Sequence, residues 1–372
     1  MTATELLEDF TRRFGGEPDT AEIYFAGAGL DMLGGVCASS GGNVLTASLS
    51  PGTYAVVRHT NNGKISVEES TSNIELTCDA AALGIYQEKN RAAPVFQSLA
   101  ALQTAERELA GAEFLLHHSI QNAQFQQAAA ASVLAADRLK SQPEELARFC
   151  IPHCAASNSA ILSGFAGKNG ALLLSAPKEL QYSYLPFPAA EYKIILTMTE
   201  EKNKKDLSGL FTEAFHTMRD KNPSLTSAAQ LTESDAELCR ETLLYPYAKF
   251  MLHEQQRIAS AAELLRQRQP DLNGFWDVLG ASGRAICGLY RKIAKDAVSF
   301  YELACRAKLC AACRILDNGC GVFSIVRGDQ VDTFLDKLRT AFVEKAGYPP
   351  VFYVCSTADS GVQIPPPPKP PA

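Results

Sequence analysis

Apolar side chains recur at helical spacing at the start of the chain and through most of its second half. Leu6, Leu7, Phe10 and Phe14 share one face of a helix predicted over residues 4–14, and the glycine pair that follows ends it. Further helices are predicted over residues 85–112, 123–139, 240–265, 272–290, 292–309 and 329–345.

Shorter apolar runs bounded by turn residues predict strands. The segment Glu22–Ser48 predicts a strand, a glycine-dense turn beginning after Phe25, a short helix or loop, and a second strand. The runs Tyr54–Thr60 and Lys64–Glu69 flank Asn61-Asn62-Gly63, which predicts a β-hairpin. Strands are also predicted over residues 113–118 and 192–198.

A length of 372 residues with 46% hydrophobic residues is enough for two domains with separate cores. We predict an N-terminal domain over residues 1–199, closed by the strand at 192–198, and a C-terminal domain over residues 200–364. The proline-rich residues 365–372 are predicted to be a disordered, solvated tail; a partner with an aromatic groove is the alternative.

Charge and hydropathy exclude several classes of partner. The chain has 41 acidic against 35 basic residues and no run rich in Lys or Arg, which argues against nucleic acid. No stretch approaches the roughly 20 apolar residues of a membrane span, and the N-terminus has no apolar leader, so we predict a cytoplasmic protein. Eleven cysteines without a secretion signal predict reduced thiols used as small apolar residues.

The glycine-dense segment is not a dinucleotide fingerprint, because Met32 stands where G-x-G-x-x-G needs its third glycine. The segment instead resembles the first motif of the galactokinase branch of the GHMP small-molecule kinases, A-P-G-R-V-N-L-I-G-E-H-T-D-Y-N-G-G. The positions that it shares with this motif are Ala26, Gly34, Gly41 and Gly42.

The polar positions of that motif are replaced in this chain. In the family, the Arg of the motif lies beside the transferred phosphoryl group, and its Glu, His and Asp hold the sugar hydroxyls. The corresponding residues here are Gly29, Gly35, Val36 and Ala38, none of which can form a hydrogen bond through its side chain.

Two further motif segments of the family are also altered. Where G-x-G-L-S-S-S-A should form a phosphate-binding turn at a helix N-terminus, residues 122–129 read N-A-Q-F-Q-Q-A-A. No Asp or Glu occurs from Phe149 to Lys178, the region where the family places its catalytic Asp. We therefore assign no catalytic residue.

The C-terminal half carries the clearest resemblance. The helix over residues 240–265 keeps Glu254 and Arg257 of the family pattern R-x-R-H-x-x-x-E-x-x-R, for which a surface ion pair is the simplest interpretation. Trp276 is predicted to be core. Near the end, the glycine-rich turn of the family keeps only Gly319 in place. In all, the resemblance covers residues 6–361.

This resemblance implies a two-domain α+β protein of the GHMP kinase fold with a cleft between the domains. It also implies ATP, Mg²⁺ and a sugar as ligands, and phosphorylation of galactose at its C1 hydroxyl. Because the motif side chains are missing, we predict a homologue that is catalytically impaired or inactive and is kept for binding or regulation. Its partner would be a small molecule in the cleft or a protein. The motif remnants proposed to contact the ligand are Gly34, Gly41, Gly42 and Gly319.

An active small-molecule kinase with rearranged chemistry is the alternative. Asp31 and Asp317 lie within the altered motifs, and either carboxylate could approach a metal bound to phosphate.

A cysteine-ligated metal protein is a third hypothesis. Cys305, Cys310 and Cys313 have the C-x4-C-x2-C spacing of plant-type iron–sulfur proteins, with Cys320 as a fourth ligand. Packed thiols are the interpretation that the sequence favours. His153 lies in a C-x2-H-C segment, but no second ligand pair follows at zinc spacing, so we predict a loop histidine.

Overall fold

The computed structural model divides the chain into two compact units. The first comprises Met1–Leu30, Ser48–Lys168 and Ala358–Ala372, and the second comprises Asp31–Ala47 and Asn169–Thr357. This division differs from the boundary predicted at residue 199, because part of the first motif and the segment after residue 168 belong to the second unit. The structure describes residues 2–72, 75–85, 93–104, 109–122, 125–140, 142–150, 167–176, 181–200, 207–359 and 361–365.

Both units mix helices and strands, as the predicted α+β class requires. The helices are α1 (Ala3–Phe14), α2 (Ala93–Thr104), α3 (Ala128–Asp137), α4 (Pro143–Cys150), α5 (Ser208–Lys221), α6 (Glu233–Glu237), α7 (Tyr245–Arg266), α8 (Leu272–Tyr290), α9 (Lys295–Ala307) and α10 (Val331–Ala346). The strands are β1 (Glu22–Leu33), β2 (Val44–His59), β3 (Lys64–Glu69), β4 (Glu75–Asp79), β5 (Ala112–His118), β6 (Gly170–Ala176), β7 (Gln181–Pro186), β8 (Tyr192–Met198), β9 (Ala312–Ile315), β10 (Gly321–Arg327), β11 (Val351–Cys355) and β12 (Val362–Ile364).

The first unit places β5 between β2 and β3. β5 is antiparallel to β2 and parallel to β3, and β3 pairs on its other side with β4. The predicted hairpin between Tyr54–Thr60 and Lys64–Glu69 is therefore wrong. The backbone N–H groups of Thr60 and Gly63 donate to carbonyls of the segment leading into β5, so that segment occupies the edge that a hairpin would have paired.

The amphipathic helix α1 is confirmed with bounds close to those predicted. Leu6, Leu7 and Phe10 are buried against apolar residues of the first unit that include Val56 and Leu115. Burying a Leu or Phe side chain contributes about 1.5–3 kcal/mol, so this face is enough to hold the helix on the sheet.

The second unit contains a four-stranded antiparallel sheet in the order β11-β8-β10-β9. β8 was predicted to close the first domain, and this is wrong: it is hydrogen-bonded to β10 on one side and to β11 on the other. Its apolar run indicates a central buried strand but carries no information about its partners. Trp276 is buried against Phe187 and Phe275, which confirms it as core.

Several predicted bounds change in the structure. β1 does not end at Phe25 but continues through the glycine-dense segment to Leu33. Nearly all residues of this strand are buried. Of the helix predicted over residues 85–112, the described part is α2, and residues 109–111 are not helical. The proline-rich tail beyond residue 365 lies outside the described residues. Within those residues, no helix combines the length and apolar character needed to cross a bilayer.

Candidate functional site

The first motif forms a tight turn followed by a short 3₁₀ helix, Gly35–Ser40. Gly34 has φ +84°, and a Cβ there would lie 2.4 Å from the carbonyl oxygen of Asn43 and 2.5 Å from Cδ1 of Ile258. Only glycine fits such a position without displacing its neighbours. The helix ends at Gly41, whose carbonyl accepts a hydrogen bond from Ser227 Oγ at 2.6 Å.

Gly42 is held closely by its surroundings. A Cβ there would lie 2.6 Å from Cβ of Cys37 and 2.9 Å from Nε2 of Gln255. Gln255 also brackets the next residue, because its Oε1 accepts from the Asn43 N–H at 2.8 Å and its Nε2 donates to the Asn43 carbonyl at 3.2 Å. Packing within the second unit accounts for the glycines that survive from this motif.

The motif positions that the resemblance assigns to sugar binding, residues 35, 36 and 38, are occupied by packing contacts of the chain. A Cβ on Gly35 would lie 2.2 Å from Oδ2 of Asp317 and 2.6 Å from Oδ2 of Asp31, so a longer side chain there would have to displace these carboxylates. Val36 and Ala38 are each only 7% exposed, and Val36 belongs to the hydrophobic core of the second unit. The structure thus brings the two predicted substitutes, Asp31 and Asp317, together beside Gly35.

A buried arginine lies at the centre of these contacts. Arg314, in β9, has no exposed surface, and its Nη2 donates to Oδ1 of Asp317 at 2.6 Å and to Oε1 of Glu254 at 3.4 Å. Its Nε donates to Oγ of Ser282 at 2.9 Å, and its Nη1 donates to the carbonyl of Ile315 at 3.2 Å. We call Asp31, Glu254, Ser282, Arg314 and Asp317 the Arg314 cluster.

Glu254 connects this cluster to the first motif. Its Oε1 accepts from the Gly34 N–H at 3.3 Å and from Ser282 Oγ at 2.8 Å, and its Oε2 accepts from Arg257 Nη1 at 2.7 Å. The predicted pair of Glu254 and Arg257 is present, but the prediction that it lies on the surface is wrong, since Glu254 is fully buried. A carboxylate in this setting needs its cations and donors to offset the cost of burial.

The electrostatics of the cluster follow from burial and proximity. Burial raises the pKa of the Asp317 carboxyl, an effect that the Arg314 guanidinium opposes and the nearby Glu254 charge reinforces. Burial also works against the charge on Arg314, but the carboxylates of Asp317 and Glu254 outweigh it and raise the arginine pKa. Arg314 therefore remains a cation whose donors are directed at groups inside the protein.

Gly319, the remnant of the last motif, lies in the turn between β9 and β10. It has φ +69°, and a Cβ there would lie 2.7 Å from the ring of Tyr290. The hydroxyl of Tyr290 donates to the backbone carbonyl of Asp317 in the same turn. Close packing of this turn on an aromatic ring requires a glycine here whether or not a ligand binds.

In the first unit, the segment in place of the phosphate-binding motif leads into α3. The N–H of Gln127, the N-cap residue of that helix, donates to Oγ1 of Thr53 at 2.9 Å, and Thr53 is hydrogen-bonded to Nδ1 of buried His118 at 2.9 Å. A donor that could face a phosphate is thus used internally, and no glycine or serine loop is present. The described residues do not fit nucleotide phosphates as the family motif does. Ala123 and Gln124 lie outside the described residues.

The cysteine-ligated metal site is not formed. Sγ atoms of Cys305 and Cys313 lie 3.5 Å apart, but in the described part of the chain no group of three or more His, Cys, Asp or Glu residues is arranged to hold a metal ion. Cys320 is a buried residue of the turn after β9. His153 lies outside the described residues.

A shallow groove on α7 and α8 lies on the outer side of the Glu254–Arg257 pair. Its volume is about 480 Å³. Arg257 contributes to this groove and to the ion pair with Glu254, so it links the surface to the Arg314 cluster. The groove is lined by His253, Gln256, Arg257, Ser260, Asp277, Val278 and Ala281.

Sequence reasoning did not single out Arg314 or Ser282 as site residues. The available signal was an arginine inside the apolar run of β9, Cys313 to Leu316, where a charged side chain has to be paired if it is buried. Two of its partners, Ser282 and Glu254, lie 32 and 60 positions away along the chain, which no local pattern reveals.

Known proteins that are similar to this chain in sequence include galactokinases. No protein-family model matches the chain. Galactokinase of Lacticaseibacillus casei is 24% identical over 396 aligned positions, covering 98% of this chain and 100% of that protein. Galactokinase of Clostridium beijerinckii is also 24% identical, covering 96% of this chain and 98% of its own length.

The solved structure of Lactococcus lactis galactokinase, complexed with galactose, superposes with a TM-score of 0.82 at 19% identity, over 96% of this chain and 98% of that one. The chain is galactokinase-like. A mevalonate kinase structure also superposes, with a TM-score of 0.64 at 11% identity, over 91% of this chain and 99% of that one. The galactokinase-like chain therefore has the GHMP kinase fold, which confirms the predicted fold class.

Proposed function

We propose that this galactokinase-like chain has lost normal phosphoryl transfer to galactose and that its fold is kept for ligand binding or regulation. One observation carries the proposal: the position of the Gly35 side chain, where the family motif has Glu, is filled by the carboxylates of Asp31 and Asp317. The neighbouring Val36 and Ala38 are buried as packing residues. Residues 35, 36 and 38 themselves offer no side-chain hydrogen-bonding group to a sugar.

Loss of the catalytic base reinforces this proposal. Phosphoryl transfer depends on positioning and on neutralising phosphate charge, and general-base catalysis adds about 10²- to 10⁴-fold. The motif Arg position is Gly29, and each donor nitrogen of the buried Arg314 is hydrogen-bonded to a group of the chain itself. ATP and Mg²⁺ are ligands that the likeness to galactokinases suggests.

The first test is galactose-dependent ADP formation by the purified full chain, with an active galactokinase assayed in parallel. We expect a rate at least about 10⁴-fold below that of the active enzyme, because several catalytic elements are missing together. A rate within about 100-fold of the active enzyme would overturn the proposal.

The alternative, an active kinase with rearranged chemistry, is favoured by the convergence of Asp31 and Asp317 at one point. If it holds, any ADP formation by the wild-type chain should fall sharply in Asp31→Asn and Asp317→Asn. Trp276 fluorescence of each variant should first match the wild type, to show that the second unit is folded. ADP formation that the two variants leave unchanged excludes this alternative.

Retained ligand binding is tested by thermal unfolding with Mg-ATP, with galactose, and with both. A ligand at about 100 times its dissociation constant adds about 2.7 kcal/mol to stability. A shift with Mg-ATP alone supports a nucleotide-binding regulator. No shift with any of the three additions argues for a scaffold whose partner is a protein.

A further inference from the structure

Three thiols lie together where α9 meets β9, apart from the Arg314 cluster. Cys305, two residues before the end of α9, is exposed, whereas Cys313 in β9 is buried. Their Sγ atoms are 3.5 Å apart and hydrogen-bonded. Cys310, in the connecting loop, is half-buried and its Sγ donates to the carbonyl of Ala304.

The surroundings make these thiols unequal. Hydrogen bonds from Cys313 and Tyr301, with the charge of Arg284 on α8, outweigh burial and the charge of Glu302 and lower the pKa of Cys305 to about 6. The neighbouring thiols raise the pKa of Cys313 well above its ordinary value. The exposed sulfur is thus the thiolate and the buried one the thiol, which is the distribution that a reactive cysteine pair requires.

We propose that Cys305 is a peroxide-reactive cysteine and that Cys313 resolves it, giving a reversible disulfide between α9 and β9. The Cys305 thiolate attacks one oxygen of hydrogen peroxide, the O–O bond breaks, and hydroxide leaves, so that Cys305 becomes a sulfenic acid. Cys313 then attacks the Cys305 sulfur, the S–O bond breaks, and the thiol proton leaves with the departing oxygen as water. Overall, the thiolate and the thiol lose two electrons, and one peroxide is reduced to water and hydroxide, which becomes a second water by taking a proton from solvent.

The geometry allows this bond with little movement. A disulfide needs an S–S distance of about 2.05 Å, so the sulfurs must approach by about 1.5 Å. Cys313 has little freedom, because a Cβ on Gly283 of α8 would lie only 2.2 Å from the Cys313 carbonyl oxygen. The movement that brings the two sulfurs together must therefore come from the last turn of α9, which ends at Ala307. The disulfide would fix the residue immediately before Arg314.

The test exposes the full-length reduced chain to hydrogen peroxide, blocks the remaining thiols and maps peptides by mass spectrometry. We expect a peptide pair joining Cys305 and Cys313, about 2 Da lighter than the two thiol peptides, and its loss on treatment with dithiothreitol. Cys313→Ser should leave Cys305 as a dimedone-reactive sulfenic acid. Cys305→Ser should give no cross-link at Cys313.

Cys78 provides the matched control, because it is half-buried and burial raises its pKa to about 11. Cys78→Ser should behave as the wild type. In the unmodified chain, iodoacetamide should label Cys305 before Cys78 near neutral pH, a measurement that does not depend on any variant folding. A disulfide between Cys310 and Cys313, no disulfide at all, or labelling of Cys78 first would each overturn the proposal.

Discussion

Replacing Arg314 by methionine removes the cation at the centre of the cluster while keeping a long side chain in place. The variant loses the hydrogen bond to Asp317 at 2.6 Å, the contact with Glu254 at 3.4 Å and the donor to Ser282. Hydrogen bonds to charged groups contribute about 1.5–3 kcal/mol each, and breaking a buried ion pair from one side costs about 3–5 kcal/mol. Glu254 keeps Arg257 as a partner, so Asp317 bears most of the loss.

We therefore expect R314M to lower the free energy of unfolding of the second unit by about 3–5 kcal/mol near neutral pH. Urea unfolding followed by fluorescence measures it, because Trp276 is the single tryptophan of the chain and is buried in α8. Arg240→Met is the matched control. Arg240 is 75% exposed and lies 3.5 Å from Glu237, so its loss should change stability by less than about 1 kcal/mol.

The pH dependence gives a second and independent readout. Burial raises the pKa of Asp317, so the folded state binds more protons than the unfolded state between the ordinary and the raised values. The contribution of this group to stability therefore grows as the pH falls through the raised pKa. Without Arg314 that pKa rises further, and the deficit of R314M in the free energy of unfolding should shrink as the pH falls from neutral.

A double variant separates loss of charge balance from loss of packing. In R314M/D317N, the unpaired carboxylate is gone, so part of the deficit should be recovered near neutral pH. A deficit of R314M below about 1 kcal/mol, or one equal to that of R240M, would refute the reasoning that the cluster is held by its buried cation.

Two further predictions concern a glycine turn and a helix cap in the second unit, and both are measured by the same urea unfolding. Gly319→Ala should cost about 2–4 kcal/mol, because positive φ and the clash with Tyr290 act together. Gly347→Ala, in the same unit, with φ +83° and open space around its Cβ, should cost only about 1–2 kcal/mol, and equal costs would contradict the packing argument. Asp271→Ala should cost about 1 kcal/mol, because the Asp271 side chain caps α8 by accepting from the Gly274 N–H at 3.0 Å. Asp271→Asn should keep most of the stability. Equal losses of stability in the two variants would show that the cap is not responsible.

The sequence by itself determined the elements whose causes are local. The helical spacing of Leu6, Leu7 and Phe10 predicted α1, and the apolar residues at the centre of β8 predicted a buried strand. The residues that replace the polar groups of the family motif, such as Gly35 and Val36, are also facts of the sequence. They already indicated that the family chemistry is not supplied at these positions.

Tertiary structure decided how those elements combine and which groups occupy the positions of the missing motif side chains. The insertion of β5 beside β2, and the placement of β8 between β10 and β11, depend on pairings between distant segments, which local patterns do not encode. Arg314 is an ordinary arginine in the sequence, and only the fold surrounds it with Glu254 and Asp317. The physical reason is that a buried charge is stable only while its ionic and hydrogen-bonding partners are present, so the charges of the Arg314 cluster depend on one another.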